Sequence, residues 1–225
     1  MKKIIFHDWQ IIDFKTAWEK QESILGNTHH RKFIEKQPTE NHFVFCEHPH
    51  VFTIGKSGNN NNLLVDEKFL TKIQATVFHI NRGGDITYHG PGQIVGYPII
   101  DLENFGLGVK KYIEQLEEVI IRTLAEYNIK ATRLKGATGV WLDAHNKNVR
   151  KICAIGVRVS RGVTMHGFAF NINTNLKYFS YINPCGFTDK GVTSLQKELG
   201  RNVDMAKVKS KIKKHFQDIF LTNNQ

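Results

Sequence analysis

Apolar positions recur at helical spacing in three stretches of the chain. Phe14, Ala17, Trp18, Gln21 and Leu25 follow Asp13, a residue suited to capping a helix. Val109, Tyr112, Ile113, Leu116, Val119, Ile120, Thr123, Leu124 and Tyr127 make one stripe over 108–127. Glu114, Glu117, Glu118 and Arg122 fall on its wet side. Val208, Ile212, Phe216 and Phe220 lie four apart in a C-terminal helix starting at Asp204. A short helix is predicted at 195–199. β-Rich runs predict strands at 4–6, 42–47, 51–55, 75–81, 94–102, 129–133 and 139–142. Residues 149–160 and 163–173 predict an antiparallel pair around Ser160-Arg161-Gly162. The polar stretch 26–40 predicts a loop, and Asn59 to Asn62 a flexible surface loop that is either drift in length or a segment moving over a site.

Two segments interrupt this pattern with chemistry. Residues 82–93 read R-G-G-D-I-T-Y-H-G-P-G-Q, four glycines and a proline in twelve positions. Such a run demands irregular backbone and brings amides close to a ligand. It is no phosphate loop, because the Gly-Lys-Ser/Thr ending is missing. It also carries Arg82, Thr87, Tyr88, His89 and Gln93, more polar groups than a turn needs. The second segment opens at Lys151 and closes at Asn183-Pro184-Cys185-Gly186. Pro184 and Gly186 predict a turn at Cys185, where a thiol is placed like a nucleophile. A nearby ammonium favours the thiolate, and Lys151 is the candidate for that charge or for a base. Cys153 alternates with Lys151 and Ile155, so it shares a face with the lysine; packing is its expected role, as it is for Cys46. His89 and His166 are either satisfied histidines or site residues. His29-His30 lacks the companions of a metal site.

Composition narrows the class. Hydrophobic residues make up 40% of 225, which is globular. No apolar run approaches the ~18 residues of a membrane span, and the start shows no signal peptide. Three cysteines at irregular spacing imply neither a disulfide framework nor a metal knuckle, and point to the cytoplasm. The net charge of +10 fits either an acidic partner or a solvated lysine surface. Lys207, Lys209, Lys211, Lys213 and Lys214 belong mostly to the wet face of the C-terminal helix. No linker is visible, so 1–225 is expected to be a single catalytic domain ending in an amphipathic helix over about 204–220.

The chain resembles the octanoyltransferases, the lipoyl(octanoyl) transferases of lipoate biosynthesis. The resemblance rests on R-G-G-x-x-T-Y-H-G-P-G-Q at 82–93, T-G-V-W at 138–141 and K-I-x-A-I-G-V-R at 151–158. H-G-F-A-x-N at 166–171, N-P-C-G at 183–186, E-H-P-x-V-F-T-I-G at 47–55 and N-L-L at 62–64 fit as well. It runs from about 40 to 200. It implies an α/β (α+β) domain like the catalytic core of biotin and lipoate protein ligases, with a mixed, largely antiparallel sheet flanked by helices. It implies octanoyl transfer from acyl carrier protein to a lysine of a lipoyl domain. Acceptors would be the lipoyl domains of 2-oxoacid dehydrogenase complexes and the glycine cleavage H protein. Cys185 matches the acyl-thioester nucleophile and Lys151 the lysine that activates it. Arg82, Gly83, Gly84, Asp85, Ile86, Thr87, Tyr88 and His89 match acyl-binding positions. So do Ala154, Ile155, Gly156, Gly167, Phe168 and Ala169. No cofactor, metal, nucleic acid or membrane is implied. Asp85 stands where the motif is open. Two rival readings are an ATP-dependent lipoate or biotin ligase on this fold and a non-catalytic acyl-carrier or nucleic-acid binding protein.

Overall fold

The computed structural model describes residues 3–183 and 190–222. Side chains alternate along the strands, and the alternation sorts the core into two faces. In β2 (Asn41–Glu47), Phe43 and Phe45 face one way, and Val44 and Cys46 the other. β6 (Gln93–Ile99) does the same with Ile94 against Val95 and Tyr97. These strands lie in a sheet whose order is β1 (Ile4–Ile11), β2, β6, β10 (Val163–Asn171), β9 (Arg150–Ser160), β8 (Ala137–Leu142) and β7 (Thr132–Leu134). β1 runs parallel to β2, and the short β11 (Gly191–Val192) runs parallel to β9. The other pairings along this path are antiparallel.

Helices α3 (Val109–Ala125) and α5 (Met205–Gln217) cover the first face. They bring Tyr112, Leu116, Ile120, Val208, Ile212 and Phe216 against Phe43, Phe168 and Phe170 in the largest core cluster. Helix α1 (Phe14–His30) covers part of the second face, with Ala17 on Val44, Cys46 and Val95. The rest of that face is roofed by a smaller sheet of β4 (Thr76–His79), β3 (Val51–Ile54) and β5 (Ile86–His89). The mixed, largely antiparallel sheet flanked by helices is the expected fold class.

Several elements depart from the expected pattern. Within the stretch 26–40 only 36–40 is a loop. α1 continues to His30, and a π-helical turn carries the chain on to Glu35. Leu25 and Thr28 are buried along it, the Thr28 hydroxyl donates to the Ile24 carbonyl at 2.8 Å, and His29 Nε2 meets the Ser160 carbonyl at 2.9 Å. Glu117 is not on the wet side of α3. It is buried, accepts from the Gly139 amide at 3.0 Å and pairs with Arg133 at 3.1 Å. Of the α5 lysines, Lys207, Lys213 and Lys214 are exposed as expected, whereas Lys209 and Lys211 are half-buried and pair with Asp8 at 2.9 Å and with Glu126. A further short helix, α2 (Glu67–Lys72), was not foreseen. It and α4 (Leu195–Leu199) complete the helices named here. No described helix is long and apolar enough to cross a membrane.

Candidate active site

The two sheets enclose a cavity of about 340 Å³. Small residues on adjacent strands make room for it: Ala154 and Gly156 on β9, Gly167 and Ala169 on β10. Gly156 is obligatory at its place. A Cβ there would lie 2.8 Å from the Gly83 carbonyl oxygen, closer than real Cβ atoms approach. Gly167 is equally constrained, since its Cβ would meet the Gly96 carbonyl on β6 at 2.1 Å. The roof therefore sits directly on the floor. The Gly83 amide donates to the Val157 carbonyl at 2.9 Å and ties residues 82–85 to β9.

The roof is held by a chain of hydrogen bonds whose direction can be read at every step. The Arg82 guanidinium donates to the Thr53 carbonyl at 2.6 Å and to the Thr53 hydroxyl at 3.0 Å. With its oxygen so occupied, that hydroxyl donates to His89 Nε2 at 3.4 Å. His89 Nδ1–H then donates to Gln93 Oε1 at 2.9 Å. Gln93 Nε2 donates to the Tyr88 carbonyl and to Asn171 Oδ1, and Asn171 Nδ2 donates to the Thr193 carbonyl. Burial, with His48 and Arg82 nearby, pushes the pKa of His89 down to about 3. The ring is neutral, and both nitrogens are spent on the scaffold. His89 is thus a poor candidate for a general base.

Lys151 lies where the cavity opens. Its Nζ stands 4.6 Å from the centroid of the Trp141 ring, a cation–π contact. Trp141 is itself fixed by its indole N–H donating to the Ala137 carbonyl at 2.9 Å. Gly136, Thr138 and Gly191, which border this end, are exposed, whereas Phe14, Val95, Tyr97 and His166 at the other end are buried. A β-bulge separates Lys151 from Cys153. Trp141 pairs with Lys151 and the adjacent Val140 with Cys153, so one step on β8 spans two on β9. Adjacent residues on β8 point to opposite faces, and their partners follow. Lys151 therefore lines the cavity while Cys153 enters the core, and the expected shared face does not occur. Burial raises the thiols of Cys153 and Cys46 well above their ordinary range, which suits packing and not nucleophilic chemistry.

Of the residues singled out in the sequence, Arg82, Gly84, Asp85, Ile86, Thr87, His89, Lys151, Ala154, Ile155, Gly156, Gly167, Phe168 and Ala169 line this one cavity. Gly83 and Tyr88 do not. Gly83 makes the β9 tie, and Tyr88 packs with Phe52, Ile54 and Leu70 in a separate cluster, its hydroxyl 2.7 Å from His50 Nδ1. Cys185 lies outside the described residues. The chain on both sides of it borders the cavity: Phe179 before, and Lys190, Gly191 and Val192 after. Val192 is the β-sheet partner of Lys151, and the Thr193 amide donates to the Lys151 carbonyl at 3.0 Å. No cluster of His, Cys, Asp or Glu able to hold a metal is present among the described residues.

The family described as the lipoyl protein ligase A/B catalytic domain matches residues 13–217, so the match takes in α1 and α5 as well as the sheets. An octanoyltransferase of Bacteroides fragilis is 57% identical over 210 residues, covering 93% of this chain and 95% of the relative. The chain belongs to the octanoyltransferase family. It is accordingly an acyltransferase. Solved structures show the same fold at low identity. A bi-partite lipoate protein ligase of Thermoplasma acidophilum has a TM-score of 0.72 at 13% identity, over 97% of this chain and 84% of that one. A biotin protein ligase of Aquifex aeolicus, in complex with biotin and ATP, has a TM-score of 0.56 at 13% identity, over 100% of this chain and 72% of that one.

Sequence reasoning left out Trp141, the platform beneath the Lys151 ammonium, although the T-G-V-W motif contains it. It also left out Tyr97, Lys190 and Val192, for which the sequence carries no local signal. The sequence leaves the asparagine run open between drift in loop length and a segment that moves over a site. In the structure Asn62 Nδ2 donates to Asp85 Oδ2 at 2.6 Å, and the Asn62 carbonyl accepts from the Asn183 amide at 2.8 Å. This residue joins the glycine-rich loop to the chain just ahead of 184–189.

The buried histidines predict an acid limb for stability. Burial pushes His48 down to about 4, and His89 and His166 to about 3. Each takes up a proton near 6.5 when unfolded and resists it when folded. Stability is then fully present above pH 6.5 and falls as pH drops toward these lowered values, by up to ~1.4 kcal/mol per pH unit per histidine. Urea midpoints that stay level between pH 7.5 and pH 5 would refute this.

Proposed function

We propose that the chain transfers an octanoyl group from octanoyl-acyl carrier protein to a lysine of a lipoyl domain, through a thioester on Cys185. One observation carries the reading. The Lys151 amine stands at the open end of a largely apolar cavity that is bordered by the chain on both sides of Cys185. In the first step the Lys151 amine takes the thiol proton, and the thiolate attacks the octanoyl carbonyl. The carrier thiol leaves and receives that proton. In the second step the acceptor amine attacks the new thioester. Its proton passes through Lys151 to the departing Cys185 sulfur, and a stable amide remains. Thioester exchange is nearly balanced, so no ATP is consumed.

The acyl chain lies between the β9–β10 floor and the 82–89 roof, against Ile86, Ile155 and Phe168. The acceptors are lipoyl domains of 2-oxoacid dehydrogenase complexes and the glycine cleavage H protein, and the whole chain acts as one catalytic domain. Free, buried Cys46 and Cys153 suit a reducing cytoplasm. The test is incubation with octanoyl carrier protein followed by peptide mass analysis. An octanoyl adduct confined to Cys185, discharged by added lipoyl domain, is the expected result. No adduct, with pyrophosphate exchange in the presence of ATP instead, would establish the ligase reading.

A further inference from the structure

The buried end of the cavity carries a polar atom that an octanoyl chain leaves idle. His166 is 2% exposed, lines the cavity, and its Nε2 is buried without a hydrogen-bond partner. Its neighbours have spent theirs. The Tyr97 hydroxyl donates to His48 Nε2 at 2.7 Å, while His48 Nδ1–H donates to the Ile12 carbonyl at 2.8 Å. His89 is satisfied by Thr53 and Gln93. The His166 backbone is held in place at a φ of +60°, a left-handed conformation unusual for a residue with a side chain. Its amide donates to Gln21 Oε1 at 3.0 Å, across to α1. Residues held this way cluster at functional sites.

Position fits a contact with the far end of the acyl chain. His166 pairs across the sheet with Val157, six residues along β9 from Lys151, a strand length of about 20 Å. An eight-carbon chain spans about 9 Å when extended, from bonds of about 1.5 Å in a zigzag. The Lys151 side chain leans along β9, with its Cε 3.5 Å from the place a Cβ would take on Gly139, which stands about opposite Ala154. That leaves about 10 Å of strand between the amine and the His166–Val157 pair. With its carbonyl beside the Lys151 amine, the chain brings its distal carbon into the half of the cavity lined by Val95, Tyr97 and His166.

We infer that His166 is a specificity-determining residue for this acyl site, and that the cavity accepts medium-chain acyl groups with a hydroxyl at their distal end. A hydroxyl both donates and accepts, so it satisfies Nε2 whichever nitrogen carries the ring proton. Burial, with Arg82 and Arg158 nearby, keeps the ring neutral at working pH. The hydroxyl binds an imidazole and not an imidazolium. This inference rests on the proposed acyl-transfer reading.

The experiment compares kcat/KM for 8-hydroxyoctanoyl and octanoyl thioesters on one carrier protein, in wild type, His166→Asn and His166→Leu. The ratio of hydroxy to plain donor is expected to fall about tenfold or more in His166→Leu and to be largely retained in His166→Asn, which keeps a hydrogen-bonding group and tolerates the left-handed backbone. A merely structural role would depress both donors together and leave the ratio alone. A ratio constant within about twofold across the three proteins overturns the inference. Should His166→Leu fail to fold, ¹⁵N spectra of the wild-type histidines decide. The His166 Nε2 resonance must differ between the hydroxyoctanoyl and octanoyl adducts, and identical shifts overturn the inference. A wild type that transfers neither donor overturns the acyl-transfer reading itself.

Discussion

Cys185→Ala is expected to lower octanoyl transfer by about a thousandfold or more, with little change in thermal stability. Removing a nucleophile eliminates the covalent route, and binding alone supplies only a residue of the rate. The Pro184-Cys185-Gly186 sequence predicts a turn, where a thiol contributes modest packing. The other two cysteines serve as controls. Cys46 and Cys153 are both fully buried in apolar clusters. Replacing either by serine buries a hydroxyl and costs stability, about 1–3 kcal/mol, yet leaves the octanoyl adduct in place. The three variants together separate nucleophile loss from fold loss. A Cys185→Ala protein with normal turnover would end the thioester mechanism. Adduct formation that vanishes in Cys153→Ser while the protein remains folded would move the nucleophile to β9.

The fold was legible wherever a single face is buried. α3 and α5 each bury one stripe, so their apolar spacing announced them, and the β9–β10 hairpin was announced by its turn residues. Legibility failed where polar side chains are consumed by tertiary contacts that spacing does not encode. Thr28 returns its hydroxyl to its own helix and His29 reaches the Ser160 carbonyl, so a polar stretch reads as loop but folds as helix. Glu117 looks like a solvent-facing acid, yet it holds the Gly139 amide and Arg133. The β1 strand is longer than its apolar run because Asn41–Glu47 supplies a parallel partner that no local pattern reveals.

The site was legible as motifs and not as geometry. The glycine pattern of 82–93, 156 and 167 reports close backbone approach, and the structure shows which backbones meet: Gly83 with Gly156, and Gly96 with Gly167. Simple alternation failed at Lys151 and Cys153, because a bulge is one extra residue with no composition of its own. The sequence leaves His89 open between a satisfied histidine and a site residue. Only the hydrogen-bond chain through Thr53 and Gln93 shows that neither nitrogen is available.

Lys151→Arg and Lys151→Ala are expected to fail in turnover by about 10²–10⁴-fold, for different reasons. In the proposed mechanism the lysine has two separable duties. As a cation over Trp141 at the cavity mouth it favours a nearby thiolate. As an amine it must accept a proton twice in each cycle, first from the thiol and then from the acceptor lysine. Arginine keeps the first duty, since its planar guanidinium stacks on an indole face as well as an ammonium does. It cannot perform the second, because it does not give up its proton at any working pH. Alanine loses both. Iodoacetamide labelling of Cys185 against pH reads the first duty alone. The labelling midpoint should rise in Lys151→Ala and return toward wild type in Lys151→Arg. Steady-state transfer to a lipoyl domain reads both duties, and neither variant should recover it. Recovery of turnover in Lys151→Arg would show that charge alone activates the thiol. The acceptor amine would then have to lose its proton elsewhere, and because His89 is neutral and committed on both nitrogens, that proton would have to pass to solvent.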